Sequence, residues 1–183
     1  LIMLDGITVY NPSHLGGVFS NFIVDGVKEA ELIKGAYNAE YGGRLSAVLN
    51  VISREGNQKE FKGKANISLL SAQTTMEGPF HKGAWILSGR RTYFDLVLPK
   101  VLPDNIATNI PPYFFYDVQG HIFSDINSKD RLSLSYYTGI DDIVFDTFGL
   151  DGRWGNNTIS AHWRRVFSER LVGNFLAANS NFR

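Results

Sequence analysis

From residue 61 onward the chain alternates between apolar and polar side chains with a period of two. That period sends successive side chains to opposite faces of a strand, so it admits β-structure and excludes an amphipathic helix over the same residues. It is cleanest over residues 131–140, where Leu132, Leu134, Tyr136, Thr138 and Ile140 oppose Arg131, Ser133 and Ser135. Ala65, Ile67 and Leu69 oppose Lys64, Asn66 and Ser68 in the same way. Further strands are expected over residues 74–78, 84–92, 113–126 and 156–167, and from residue 171. With the one starting at Phe61 they make about seven strands.

The connections between these strands are unequal. A tip at residues 71–73 and turns at 79–83, 127–130 and 168–170 are short. Residues 93–112, with four of the six prolines, and residues 141–155 read as long loops. Short turns at one end and long loops at the other are the asymmetry of an outer-membrane barrel. A soluble antiparallel sandwich has no reason to collect its long loops at one end. Tyr93, Phe94, the aromatics of residues 113–116, Trp154 and Trp163 lie near strand ends, where interfacial girdles form.

Composition narrows the remaining classes. Eighteen basic and eighteen acidic residues cancel, so no broad basic field points to nucleic acid. No apolar run approaches the roughly 20 residues of a membrane helix, a test that alternating barrel strands escape. There is no cysteine, which removes disulfides and thiolate metal sites. His81, His121 and His162 lack metal-ligand spacing and are assigned structural roles. Asp141-Asp142 and Asp151-Gly152 lack the spacing of a calcium loop, and Asn156-Asn157-Thr158 is taken as an accidental sequon. No nucleophile elbow, phosphate loop or placed carboxylate pair appears, so neither an enzyme nor a cofactor is expected.

Residues 1–57 read differently, as a small mixed unit. A strand, an Asp5-Gly6 turn and a second short strand open it. Residues 11–21 form a polar loop. Asp25 is a candidate cap for one helical turn, residues 29–34 a strand, residues 37–41 a short helical turn, and residues 48–52 a β-branched strand. Residues 33–57 join the two architectures, with turns at Lys34-Gly35 and Tyr41-Gly42-Gly43.

Leu4-Asp5-Gly6, Lys34-Gly35, Tyr41-Gly42-Gly43 and Val48-Leu49-Asn50-Val51-Ile52 follow one another in an order and spacing that resembles the plug of TonB-dependent outer-membrane receptors. The chain departs from that pattern where Gly42-Gly43 merges with the tyrosine turn and Arg44 follows directly. The resemblance covers essentially the whole chain. It implies the C-terminal part of an α+β plug over residues 1–57 and the first antiparallel transmembrane strands of a plugged, 22-stranded barrel over 58–183. Both ends fall inside apolar runs, so an internal fragment is expected, with the remaining strands beyond Arg183. The resemblance further implies the outer membrane of a Gram-negative bacterium, contact with its lipid, and energy-coupled uptake of a siderophore, corrinoid, glycan or peptide. A TonB-type partner would engage a segment upstream of Leu1. The loop after the first hairpin would be the plug apex, making Tyr10, Asn11, Ser13, His14 and Asn21 ligand-facing candidates. On the residues alone, that loop is an ordinary solvated one. Arg44 is a candidate partner for a wall carboxylate such as Glu77, and one of Arg90 and Arg91 is expected to face the lumen. The rival readings are a passive porin or adhesin barrel and a soluble β-rich periplasmic binding module or enzyme.

Overall fold

The computed structural model describes residues 1–35, 41, 47–107, 111–145 and 150–183. Among these, strands β1 (Ile2–Leu4), β2 (Ile7–Thr8), β3 (Ser13–His14), β4 (Phe19–Ser20), β5 (Val27–Ile33) and β6 (Val48–Ser53) belong to an N-terminal unit. Four of them form a small sheet in the order β2-β1-β6-β5. The β1–β2 hairpin turns on Asp5 and Gly6, both with positive φ, which suits the right-handed twist of a two-residue hairpin. β1 then pairs in parallel with β6, far along the chain, and β5 pairs antiparallel with β6. β3 and β4 make a separate two-stranded ribbon within the expected loop. Val24–Gly26 is a 3-10 turn whose cap position is Ile23, not Asp25. The helical turn expected over residues 37–41 lies outside the described residues, save Tyr41.

The seven strands expected after residue 60 are present as β7 (Lys62–Ile67), β8 (Ser71–Phe80), β9 (Gly83–Thr92), β10 (Tyr113–Asp125), β11 (Asp130–Phe145), β12 (Leu150–Ser168) and β13 (Leu171–Phe182). They form one antiparallel sheet in sequence order, each strand beside its neighbours in the chain. That sheet does not close on itself: β7 and β13 are its edges.

Three expectations are corrected. The first tip lies at residues 68–70, because β8 already begins at Ser71. Residues 93–112 carry two helices, α1 (Phe94–Val101) and α2 (Asp104–Ala107). Pro99 sits late in α1, whose Asp95 answers Arg91 at 2.8 Å. Residues 141–155 are largely not a loop: Asp141 pairs with Trp154 and the ladder continues to Phe145 opposite Leu150. Strands of 16 and 19 residues exceed the roughly 9–11 that cross a bilayer. The β11–β12 hairpin therefore extends beyond the apolar band described next.

The two faces of the large sheet differ in kind. One carries Leu87, Leu132, Leu134, Tyr136, Ile159 and Phe175, all exposed. The other carries Thr75, Ser88, Asp117, Gln119, Ser135, Thr158 and Ser160, all buried, together with the apolar Ile86, Phe115, Phe123 and Tyr137. The N-terminal unit lies on the polar face: the Gln119 amide donates to Ser53 Oγ at 3.0 Å, and Ser180 Oγ donates to the Thr8 carbonyl at 2.7 Å. Leu4, Val9, Val51 and Tyr137 form the buried apolar cluster at this junction. Among the described residues no helix is long and apolar enough to cross a membrane.

Candidate functional site

The richest polar constellation lies where residues 10–22 meet the large sheet. The β3–β4 ribbon closes through Leu15–Gly17 and turns the His14 side chain toward the sheet. His14 is 1% exposed. Its Nε2 is 2.8 Å from Asp117 Oδ1 and its Nδ1 is 2.8 Å from Asp141 Oδ2. Its ring stacks on Phe115 with centroids 4.0 Å apart.

The cross-strand register explains how two carboxylates reach one ring. Phe115 is opposite Asp141 and Asp117 is opposite Gly139, so the three side chains share the inner face of β10 and β11. A Cβ at position 139 would collide with the Tyr137 hydroxyl and the Asp117 carboxylate, so glycine there leaves the space in which those groups meet. The Tyr137 hydroxyl donates to Asp117 Oδ1 at 3.1 Å. Arg90 Nε and Nη2 both donate to Asp117 Oδ2, and Nη2 also donates to the Ser20 carbonyl. The Tyr113 hydroxyl and the Leu15 backbone N–H donate to Asp141 Oδ1.

With both carboxylates ionised, Arg90 supplies one positive charge and a protonated His14 the second, and the cluster is neutral. Burial by itself lowers the pKa of His14. The hydrogen bonds and charges of Asp117 and Asp141 outweigh it, and the pKa stands above the ordinary histidine value.

Further contacts fix the same loop. Asn156 Oδ1 accepts the backbone N–H groups of Tyr10 and Asn11, and its Nδ2 donates to the Asn11 carbonyl at 2.6 Å. Asn21 Nδ2 donates to that same carbonyl. Away from the loop, Arg54 Nη2 meets both oxygens of Glu77 at 2.9–3.0 Å, and Asp25 accepts from Lys64 and Gln73. Between these ties a cavity of about 620 Å³ separates the small sheet from the large one, with Asp5, His121, Ser133, Ser160 and His162 on its lining. Among the described residues no group of three or more His, Asp or Glu is placed to hold a metal ion.

One solved structure is similar in overall fold. It is a mutant ferric enterobactin receptor from Pseudomonas aeruginosa, aligned over 98% of this chain at a TM-score of 0.60 and 18% identity. The chain spans 32% of that receptor's length, and the likeness is one of fold. No protein-family model matches the chain, and no curated protein matches it.

The residues picked out in the sequence fall into distinct places. Tyr10 is 58% exposed, and Asn11 and Ser13 are half-buried. His14 and Asn21 are interior, each 1% exposed, so the reading of residues 11–21 as an ordinary solvated loop is corrected for both. Asp117 and Asp141 on the sheet, which no local pattern announces, draw His14 in, while Asn21 turns onto the Asn11 carbonyl of its own loop. Asp5 Oδ1 accepts the Ser53 N–H at 2.8 Å, pinning the hairpin turn to β6, and Gly6 lies against Leu176. Lys34 and Gly35 are exposed just past β5, and Tyr41 is half-buried beside the cavity. Gly42, Gly43 and Arg44, with the expected pairing of Arg44 to Glu77, lie outside the described residues. Glu77 is held by Arg54. Of the two adjacent arginines, Arg90 faces the N-terminal unit and Arg91 the α1 helix. Asp117, Asp141, Tyr113 and Asn156 were not singled out as site residues. Asp117 and Asp141 do fall on the parity of the inner face, and a carboxylate there needs a cationic partner.

Proposed function

We propose that this chain is part of an outer-membrane receptor for TonB-dependent, energy-coupled uptake of a scarce ligand such as a siderophore, corrinoid, glycan or peptide. Residues 1–57 serve as the C-terminal part of its plug and residues 58–183 as the first strands of its barrel wall. The observation that carries the reading is the inverted polarity of the large sheet. Its outward face is apolar and uncovered, while its covered face carries buried Ser, Thr, Asn, Gln and Asp beside Ile86, Phe115, Phe123 and Tyr137. A soluble module would leave a costly exposed apolar surface there. A wall between lipid and a polar lumen requires this arrangement.

A passive porin has no use for a unit tied across its lumen by His14, Arg90, Arg54 and Asn156. The fold shared with a ferric enterobactin receptor supports the receptor reading over the porin. No step of bond-making chemistry is assigned to the chain. In the uptake cycle, Tyr10, Asn11 and Ser13 present the ligand-facing surface, and His14 and Asn21 hold its shape. The TonB-type protein acts on the plug from the periplasm. The test is uptake of radiolabelled ferric siderophores, a corrinoid, an oligosaccharide and a peptide by cells expressing the full-length receptor, with and without the energy-coupling protein. Accumulation of one of these that disappears with the coupling protein supports the proposal. Accumulation indifferent to it assigns a passive pore.

A further inference from the structure

We infer that His14 is a proton-operated pin. Protonated on both ring nitrogens it fastens residues 10–22 to the large sheet, and loss of one proton loosens them. A neutral imidazole has one N–H donor and one lone pair, whereas both nitrogens of His14 face a carboxylate oxygen at 2.8 Å. Asp117 has no oxygen free to supply the missing proton. Asp117 already accepts from Tyr137 on Oδ1 and from Arg90 on Oδ2. Asp141 accepts from Tyr113 and Leu15 on Oδ1, leaving Oδ2 for His14 alone. A proton between Nδ1 and Oδ2 counts the same whichever atom carries it. The groups facing the ring are Arg90 from β9, Tyr113 and Asp117 from β10, and Tyr137 and Asp141 from β11. With His14 charged they sum to zero. With His14 neutral, a net negative charge is left in a dry site and a lone pair points at a carboxylate, which low dielectric makes costly.

Deprotonation turns one of the two carboxylate contacts repulsive and leaves the other a hydrogen bond, while other ties persist: Phe19 on Phe115, and Asn156 on Tyr10 and Asn11. The segment therefore loosens without leaving its place. Because the pinned form holds the proton more tightly, pinning is complete below the ordinary histidine value of 6.5 and is lost as pH rises through the raised one. The inference stands on this geometry whether or not the chain serves a receptor.

The test is hydrogen exchange of peptides covering residues 10–22 in the full-length protein, corrected for intrinsic exchange at each pH and referenced to a β11 peptide. Wild-type protection should fall by about tenfold or more between about pH 6 and about pH 10, the effect of losing one charge-assisted hydrogen bond. Asp141→Asn supplies the discriminating variant. Its Oδ1 still accepts from Tyr113 and Leu15, and its Nδ2 donates to a neutral His14 Nδ1, so protection should hold across the range. His14→Gln, which cannot titrate, should be weakly protected at every pH. Wild-type protection that does not change with pH overturns the pin. So does an Asp141→Asn profile that falls like the wild type, and that comparison stands even if His14→Gln fails to fold.

Discussion

Arginine at Leu134 and arginine at Asn157 probe two depths of the same outward face. Leu134 is 53% exposed and lies opposite Ala161, within the apolar rows. Asn157 is opposite Thr138, where the outward side chains turn polar. Four residues of strand at about 3.4 Å each, inclined by roughly 40°, put the two rows about 10 Å apart in depth. A lipid-facing arginine costs about 2–4 kcal/mol at the midplane and about 0–1 near the interface. Asn157→Arg also loses the exposed hydrogen bond from Asn157 to the Tyr136 hydroxyl, worth at most about 1 kcal/mol. Leu134→Arg should therefore be the more destabilising by about 2 kcal/mol, roughly a thirtyfold shift in folded population. The assay is denaturant unfolding of the full-length protein in phospholipid vesicles. On a water-facing surface both substitutions would stay within about 0.5 kcal/mol. Two small, equal costs would refute a lipid-facing wall.

Two further substitutions test the seam between the units. Gly56 has φ +87°, and a Cβ there would strike the Trp85 backbone carbonyl, so Gly56→Ala should cost on the order of 2–4 kcal/mol, read as a lowered thermal midpoint. An unchanged midpoint would show that the close approach relaxes freely. Glu77→Gln removes the carboxylate that Arg54 grips, leaving a half-exposed guanidinium less well paired. Loosened docking by about 1–2 kcal/mol should appear as faster entry of a bulky antibiotic into cells, and wild-type entry would deny this pair a latching role.

The parts of the fold that alternate were legible because the two faces of the sheet have different surroundings and take opposite kinds of side chain. Residues 131–140 show this plainly, and their parity is kept: Leu132, Leu134 and Tyr136 lie outward, Ser135 and Tyr137 inward. The signal fades where both faces carry polar side chains. Asp141, Asp142, Asp151 and Arg153 continue a paired ladder, yet their polarity reads as loop. The α1 helix was hidden by proline, because Pro99, inside it, has no N–H to give to the preceding turn. The hairpin on Asp5-Gly6 was legible from two residues. The His14 cluster was not, since its partners stand 103 and 127 positions away and meet only through the register of β10 with β11.

Nitroxide labels on cysteines placed singly at Leu134, Ile159, Ser133 and Ser160 of the full-length protein in vesicles test the central claim most directly. The readout compares accessibility to oxygen, which concentrates in lipid, with accessibility to a polar nickel chelate. High oxygen and low chelate accessibility at Leu134 and Ile159, with low oxygen accessibility at Ser133 and Ser160, is the result the wall requires. Equal accessibility of all four sites to the chelate, or oxygen preference at the serines, would contradict it.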